Sequence, residues 1–172
     1  DAVAATIDTG GSVALLLEHH GVSPEALAYA SKISVKTGCR LFTGTFPARV
    51  DGGPGNPEVE RLPYFPEQVL QTLAGIDHLV LVGGEPPASF FAYRGIPGQL
   101  IPKGCNLSRL TQKEEDAVDA LARLAKRLGA ENESVKTYER REIPRPTGDL
   151  ETKTIIQAVA ATMPAGLIVA TD

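Results

Sequence analysis

Ser12-Val13-Ala14-Leu15-Leu16-Leu17 carries no charge and, after Ser12, no polar side chain. A continuous apolar run of this length suits a parallel strand covered on both faces, whereas a strand with one wet face alternates. Working outward, Ala2 to Thr9 reads as a short helix ended by Gly10-Gly11. On the other side, Ser23-Pro24-Glu25 opens a helix, with serine as N-cap and proline in the first turn. Ala26, Leu27, Ala30, Ile33, Ser34 and Thr37 form its inner stripe, and Gly38 ends it.

The pattern then repeats. Cys39 to Thr43 and His78 to Val82 read as further strands, and Asn106 to Leu110 as a short one. Pro66 to Leu70 starts a short helix, and Gln112 to Leu128 is a longer one closed by Gly129. Gly44 to Pro66 is rich in glycine and proline and reads as a functional or interface loop, and Pro86 to Pro102 as another irregular segment. Alternation of this kind predicts an α/β fold: a Rossmann-like, doubly wound parallel sheet with helices on both faces. Ligands of such sheets bind beyond the carboxyl ends of the strands, where strand order reverses. The expected domains are 1–130 for this sheet, 131–149 for a polar linker, and 150–172 for the truncated start of a following domain. That last piece holds a helix over Leu150–Met163 and a strand over Gly166–Ala170.

Composition narrows the function. Hydrophobic residues at 42% and charged residues at 22% give a globular balance. A net charge of -4 gives no basic stripe for nucleic acid. Arg123, Lys126 and Arg127 share their helix with Glu114, Glu115, Asp116 and Asp119, so they read as a solvated face. Cys39 and Cys105 have neither CxxC nor zinc spacing and read as buried thiols in a reducing compartment. No apolar run approaches the roughly 20 residues of a membrane span, and no signal-peptide pattern is present, so a cytoplasmic location is expected. Asp1 in place of methionine reads as the edge of a trimmed piece.

Leu81-Val82-Gly83-Gly84-Glu85-Pro86-Pro87-Ala88-Ser89-Phe90-Phe91-Ala92-Tyr93 resembles a segment of the central domain of thiamine-diphosphate-dependent enzymes of the acetolactate synthase and benzoylformate decarboxylase type. Thr45-Phe46-Pro47-Ala48-Arg49 with Gly53 and Gly55, and Glu60 to Glu67, are similar to two further family segments. Ala158 to Asp172 looks like the entry to the family's diphosphate-binding domain. The resemblance runs from about Ser12 to Asp172. It implies decarboxylation or carboligation of 2-oxo acids in a three-domain, homo-oligomeric enzyme, dimer or tetramer. The catalytic glutamate would lie in a flanking pyrimidine-binding domain. The diphosphate and Mg²⁺ would lie in the other flanking domain, held by a Gly-Asp-Gly segment ending in asparagine. Gly148-Asp149 lacks the following glycine, so no catalytic residue carries over and no cofactor is expected in this piece.

A second reading is a standalone Rossmann-like module for FAD, NAD or ADP. Its candidate binding residues are Gly21, Gly83, Gly84 and Glu85, the turns after two strands. In the first turn, Glu18-His19-His20-Gly21-Val22-Ser23, only one glycine remains and Glu18 would repel a diphosphate, so FAD is not expected. His19 and His20 are adjacent and lack a third ligand nearby, which favours a surface role over a metal. His78 reads as structural. Phe90, Phe91 and Tyr93 read as packing against a neighbouring domain rather than stacking on a ligand. Arg49 and Arg61 are candidates for a phosphate or carboxylate at a domain interface, with a plain exposed role as the equal alternative.

Overall fold

A computed structural model describes residues 2–149, 151–164 and 166–168. The chain divides into two units, 1–138 and 139–172.

The first unit is built on β1 (Val13–Leu17), which pairs in parallel with β2 (Arg40–Thr43) on one side and β4 (His78–Val82) on the other. A two-residue strand β3 (Glu60–Arg61) extends the β2 side, and β5 (Asn106–Thr111) extends the β4 side. The order β3-β2-β1-β4-β5, parallel throughout, is the doubly wound arrangement expected from the sequence. Every residue of β1 is buried, and its side chains alternate between two cores. Val13, Leu15 and Leu17 pack toward α1 (Ala2–Asp8), α2 (Pro24–Thr37) and α4 (Ala117–Arg127). Ala14 and Leu16 join Phe42, Leu79, Leu81 and Leu62 on the opposite face, closed by Val69 of α3 (Pro66–Thr72) and by Leu73. Helices therefore cover both faces.

The caps follow the sequence. Ser23 Oγ accepts the Ala26 N–H at 3.3 Å, and Gly38, at φ +78°, donates its N–H to Ser34 O at 2.8 Å. Ser31, absent from the predicted stripe, is buried: its Oγ accepts the Lys136 N–H at 2.9 Å. The expected start of the last helix of this unit, Gln112, moves to Ala117. Asp116 caps there, its carboxylate accepting the Asp119 N–H at 3.0 Å.

The stretch predicted as loop, Gly44 to Pro66, contains β3. Two exposed charged residues carry no apolar signature, and their short, charged edge protects the sheet from further pairing. Arg40 reaches across to Glu60 at 2.9 Å. The loop before β3 is clasped by residues 136–138. Tyr138 Oη donates to Val59 O at 2.7 Å, and Lys136 pairs with Glu58 at 2.7 Å.

In the second unit, α5 (Thr152–Thr162) begins where the Glu151 N–H meets Thr154 Oγ1 at 2.8 Å. It buries none of its residues. The expected helix start Leu150 lies outside the described residues. So do Val169 and Ala170 of the expected strand, and Gly166–Ile168 do not form one. Among the described residues no helix is long and apolar enough to cross a membrane.

Leu81→Ala should cost about 3 kcal/mol in urea unfolding, because Leu81 is fully enclosed in the α3-side core. Phe91→Ala, at an exposed position, should change stability by less than about 0.5 kcal/mol. Equal costs would contradict this placement of the core.

Candidate functional site

β1 and β4 flank the point where strand order reverses, and they end side by side at Leu17 and Val82. From β1 the chain passes through Glu18 into a 3₁₀ turn, His19–Val22. From β4 it passes through Gly83-Gly84-Glu85. The turns are adjacent, so the structure brings all four sequence candidates, Gly21, Gly83, Gly84 and Glu85, to one end of the sheet. A Cβ on Gly83 would lie 2.8 Å from Glu18 O and 3.8 Å from Gly21 N, and Gly83 has φ +73°. A Cβ on Gly21 would meet Val82 O at 2.9 Å.

An anion cradle needs backbone N–H groups free to point at the anion. Three of the four candidates engage theirs within the protein. Gly21 N–H donates to Glu18 O at 2.7 Å, and Gly83 N–H to Thr111 O at 3.1 Å. Glu85 N–H donates to the Glu18 carboxylate. That carboxylate occupies the place beside both Gly44 and Gly84, where a Cβ on either glycine would overlap it. The glycines of the crevice thus make room for Glu18. Burial pushes the Glu18 carboxyl above its ordinary range, opposed by the Glu85 N–H and by the charge of His19, while the Glu85 charge adds to the rise.

The Glu85 side chain is held by Arg109, whose two Nη atoms reach its two oxygens at 3.1 and 2.9 Å. Arg109 Nη1 also donates to Gly84 O at 2.6 Å. The guanidinium holds the Glu85 carboxyl below the usual carboxylate range. Sequence reading missed Arg109. The β-bulge between Leu81 and Val82, which sets β5 against β4 there, leaves no local mark in the sequence.

Beside Glu18 opens a cleft of about 300 Å³. Leu16, Leu62, Val69 and Leu100 line it, with Phe46 and Phe90 at its edge. The Phe46 and Phe90 rings lie 5.0 Å apart between centroids, and Tyr64 lies 6.0 Å from each. The three aromatics singled out from the sequence therefore separate. Phe90 joins this cluster, while Phe91 and Tyr93 form their own edge-to-face pair at 6.1 Å.

The remaining candidates are dispersed. His19 and His20 sit on an exposed turn, His19 at φ +48°, and no group of three metal-binding side chains occurs among the described residues. Arg49 pairs with Asp51 at 3.1 Å, and Arg61 Nε donates to Thr45 O at 2.6 Å. Cys39 is buried, which raises its thiol pKa.

No protein-family model matches the chain. Over 168 residues, 97% of its length, the chain is 37% identical to a Mycobacterium tuberculosis (strain ATCC 25618 / H37Rv) protein named, provisionally, acetolactate synthase large subunit IlvX. The match covers 32% of that protein. Its fold is similar to that of the Rhodococcus jostii RHA1 thiamine diphosphate-dependent 4-hydroxybenzoylformate decarboxylase. The TM-score is 0.51 at 25% identity, over 87% of this chain and 29% of that one. The chain thus spans about a third of the length of each relative. The resemblance read from its motifs to enzymes of this kind is borne out, as is the α/β fold.

Gly44→Ala should destabilise the fold by about 1–3 kcal/mol, and much less when Glu18 is also alanine, since the collision is with that side chain. A double-mutant cycle by chemical denaturation reads this coupling; additive costs would contradict it. Glu18 has a raised pKa in the folded state, so it favours folding most when protonated, and that contribution fades as pH climbs through its folded value. Glu18→Gln should therefore gain stability relative to the native chain as pH rises from the ordinary carboxylate range toward neutrality. A difference that is flat or of opposite slope in melts across that window would count against a desolvated Glu18.

Proposed function

We propose that the chain is the central structural domain of a thiamine-diphosphate-dependent enzyme of the acetolactate synthase type, and that it performs no step of the reaction alone. In the longer polypeptide the reaction would be decarboxylation or carboligation of 2-oxo acids. The observation that carries this reading is the extent of the match: nearly all of this chain aligns with a third of a relative named for acetolactate synthesis.

In this reading residues 1–130 form the sheet domain, 131–149 a linker, and 150–172 the entry to a diphosphate-binding domain. The exposed apolar side chains of α5, Ile155, Ile156 and Val159, support it, because a helix that buries nothing of its own is suited to a core supplied by further chain. Phe91, exposed, and Tyr93, half-buried, form a pair outside the cleft that suits packing against a flanking pyrimidine-binding domain. A homo-oligomer, dimer or tetramer, in the cytoplasm completes the proposal.

Bound thiamine diphosphate would supply the electron sink for loss of carbon dioxide. The described residues do not fit that cofactor. They assemble no triad of metal ligands, and Gly148-Asp149 is not followed by glycine. What the chain offers is a parallel sheet covered by helices on both faces, with the Glu18 carboxylate seated between the turns at its ligand end. The same placement weighs against the standalone nucleotide module, since the Gly21, Gly83 and Glu85 N–H groups are already bonded within the protein.

The 172-residue chain, supplied with thiamine diphosphate and Mg²⁺, should turn over neither pyruvate nor benzoylformate, and FAD, NAD or ADP should leave its melting temperature unchanged. Turnover by the chain alone would defeat the division of labour, and a nucleotide-dependent rise in melting temperature would restore the binding-module reading.

A further inference from the structure

The cleft beside Glu18 is complementary to a ligand of charge opposite to that of 2-oxo acids and nucleotides. No lysine or arginine lines it. Of its two carboxylates, Glu85 is tied to Arg109 by both oxygens. Glu18 accepts one backbone N–H, and the charged groups that bear on it are His19 and Glu85. An ionised carboxylate has about four acceptor positions, so one bond leaves Glu18 with capacity unspent. Its half-buried position among Leu16, Leu62 and Pro86 keeps water from filling that capacity freely. The Phe46 and Phe90 rings, 5.0 Å apart between centroids, also line the cleft and add apolar aromatic surface for an organic group.

We infer that this cleft binds a small amphiphilic amine, an aryl or branched alkyl group lying on the Leu16–Leu62–Val69–Leu100 floor with its ammonium directed at Glu18. A volume of about 300 Å³ is at the lower end for ligand sites and holds about ten water-sized groups. That matches an arylethylamine and is too small for a dinucleotide. The inference is independent of the proposed domain role, because it concerns a site this chain builds by itself and assigns it no part in 2-oxo acid chemistry.

Phenethylamine is titrated into the ¹⁵N-labelled chain, with 3-phenylpropionate as the matched anion. Saturable amide shifts at Glu18, Gly44, Gly84 and Phe90 are expected with the amine and not with the acid. Glu18→Gln and Phe90→Ala should each weaken the amine by roughly fivefold or more. Phe90 is half exposed, so its truncation tests the site without threatening the core. The inference is overturned by equal binding of the acid, by no saturable response to the amine, by shifts confined to other residues, or by wild-type affinity in a folded Phe90→Ala.

Discussion

Everything in the sheet domain hangs on β1 being dry on both faces. A strand in that position must spend all its backbone groups on neighbours, and it does so with β2 on one side and β4 on the other. Its side chains must then satisfy two separate cores at once. Leu15 and Leu17 serve the core under α2 and α4, and Leu16 serves the one under α3. Each fully buried leucine contributes about 2 kcal/mol of transfer free energy, so a polar residue anywhere in Val13–Leu17 would weaken both layers' shared support. The flanking elements inherit their places from this requirement.

The same constraint creates the crevice. Because the chain leaves β1 for β2 on one side and reaches β4 on the other, the connections after β1 and β4 diverge, leaving a gap at the carboxyl end of the sheet. Such gaps commonly hold a ligand's phosphate on free N–H groups. Here a side chain from the first residue after β1 closes the gap. Glycine at 44 and 84 then makes room for that side chain, most tightly at 84, where the Glu18 Cβ stands 2.8 Å from the place of an added Cβ, while glycine at 83 is required by its φ of +73° as well. A glycine-bearing turn at a switch point thus has two physical explanations, access for a ligand or access for the protein's own side chain, and the atoms nearest each absent Cβ separate them.

This distinction explains what could be read from the sequence. The apolar runs at β1 and β4, the Ser23-Pro24 start and Gly38 stop of α2, and the location of the crevice turns were all legible, because each rests on local pattern. β3 was not, since its two charged residues pair through position rather than composition. Nor was the late start of α4, where Asp116 outcompeted the apparently helical Gln112–Glu115. In the site, Glu18 was recognised as unfavourable to a diphosphate. Its position between Gly44 and Gly84 depends on bringing together residues 26 and 66 positions away in the chain, and no local pattern carries that. The Arg109–Glu85 pair and the Phe46–Phe90 pair are likewise products of the fold.

The electrostatics of the crevice also bear on how such a domain would serve a larger enzyme. Anionic substrates and a diphosphate cofactor are attracted by positive potential, and a domain that competed for them would lower their concentration at the reactive centre. The Arg109 guanidinium at this end of the sheet is spent on Glu85 and on Gly84 O. Glu18 adds a carboxylate where an anion would otherwise settle. A scaffold arranged in this way would repel the anionic species its proposed neighbours handle. Covered faces and charge thus agree with the proposed role, in which the sheet would support chemistry performed elsewhere.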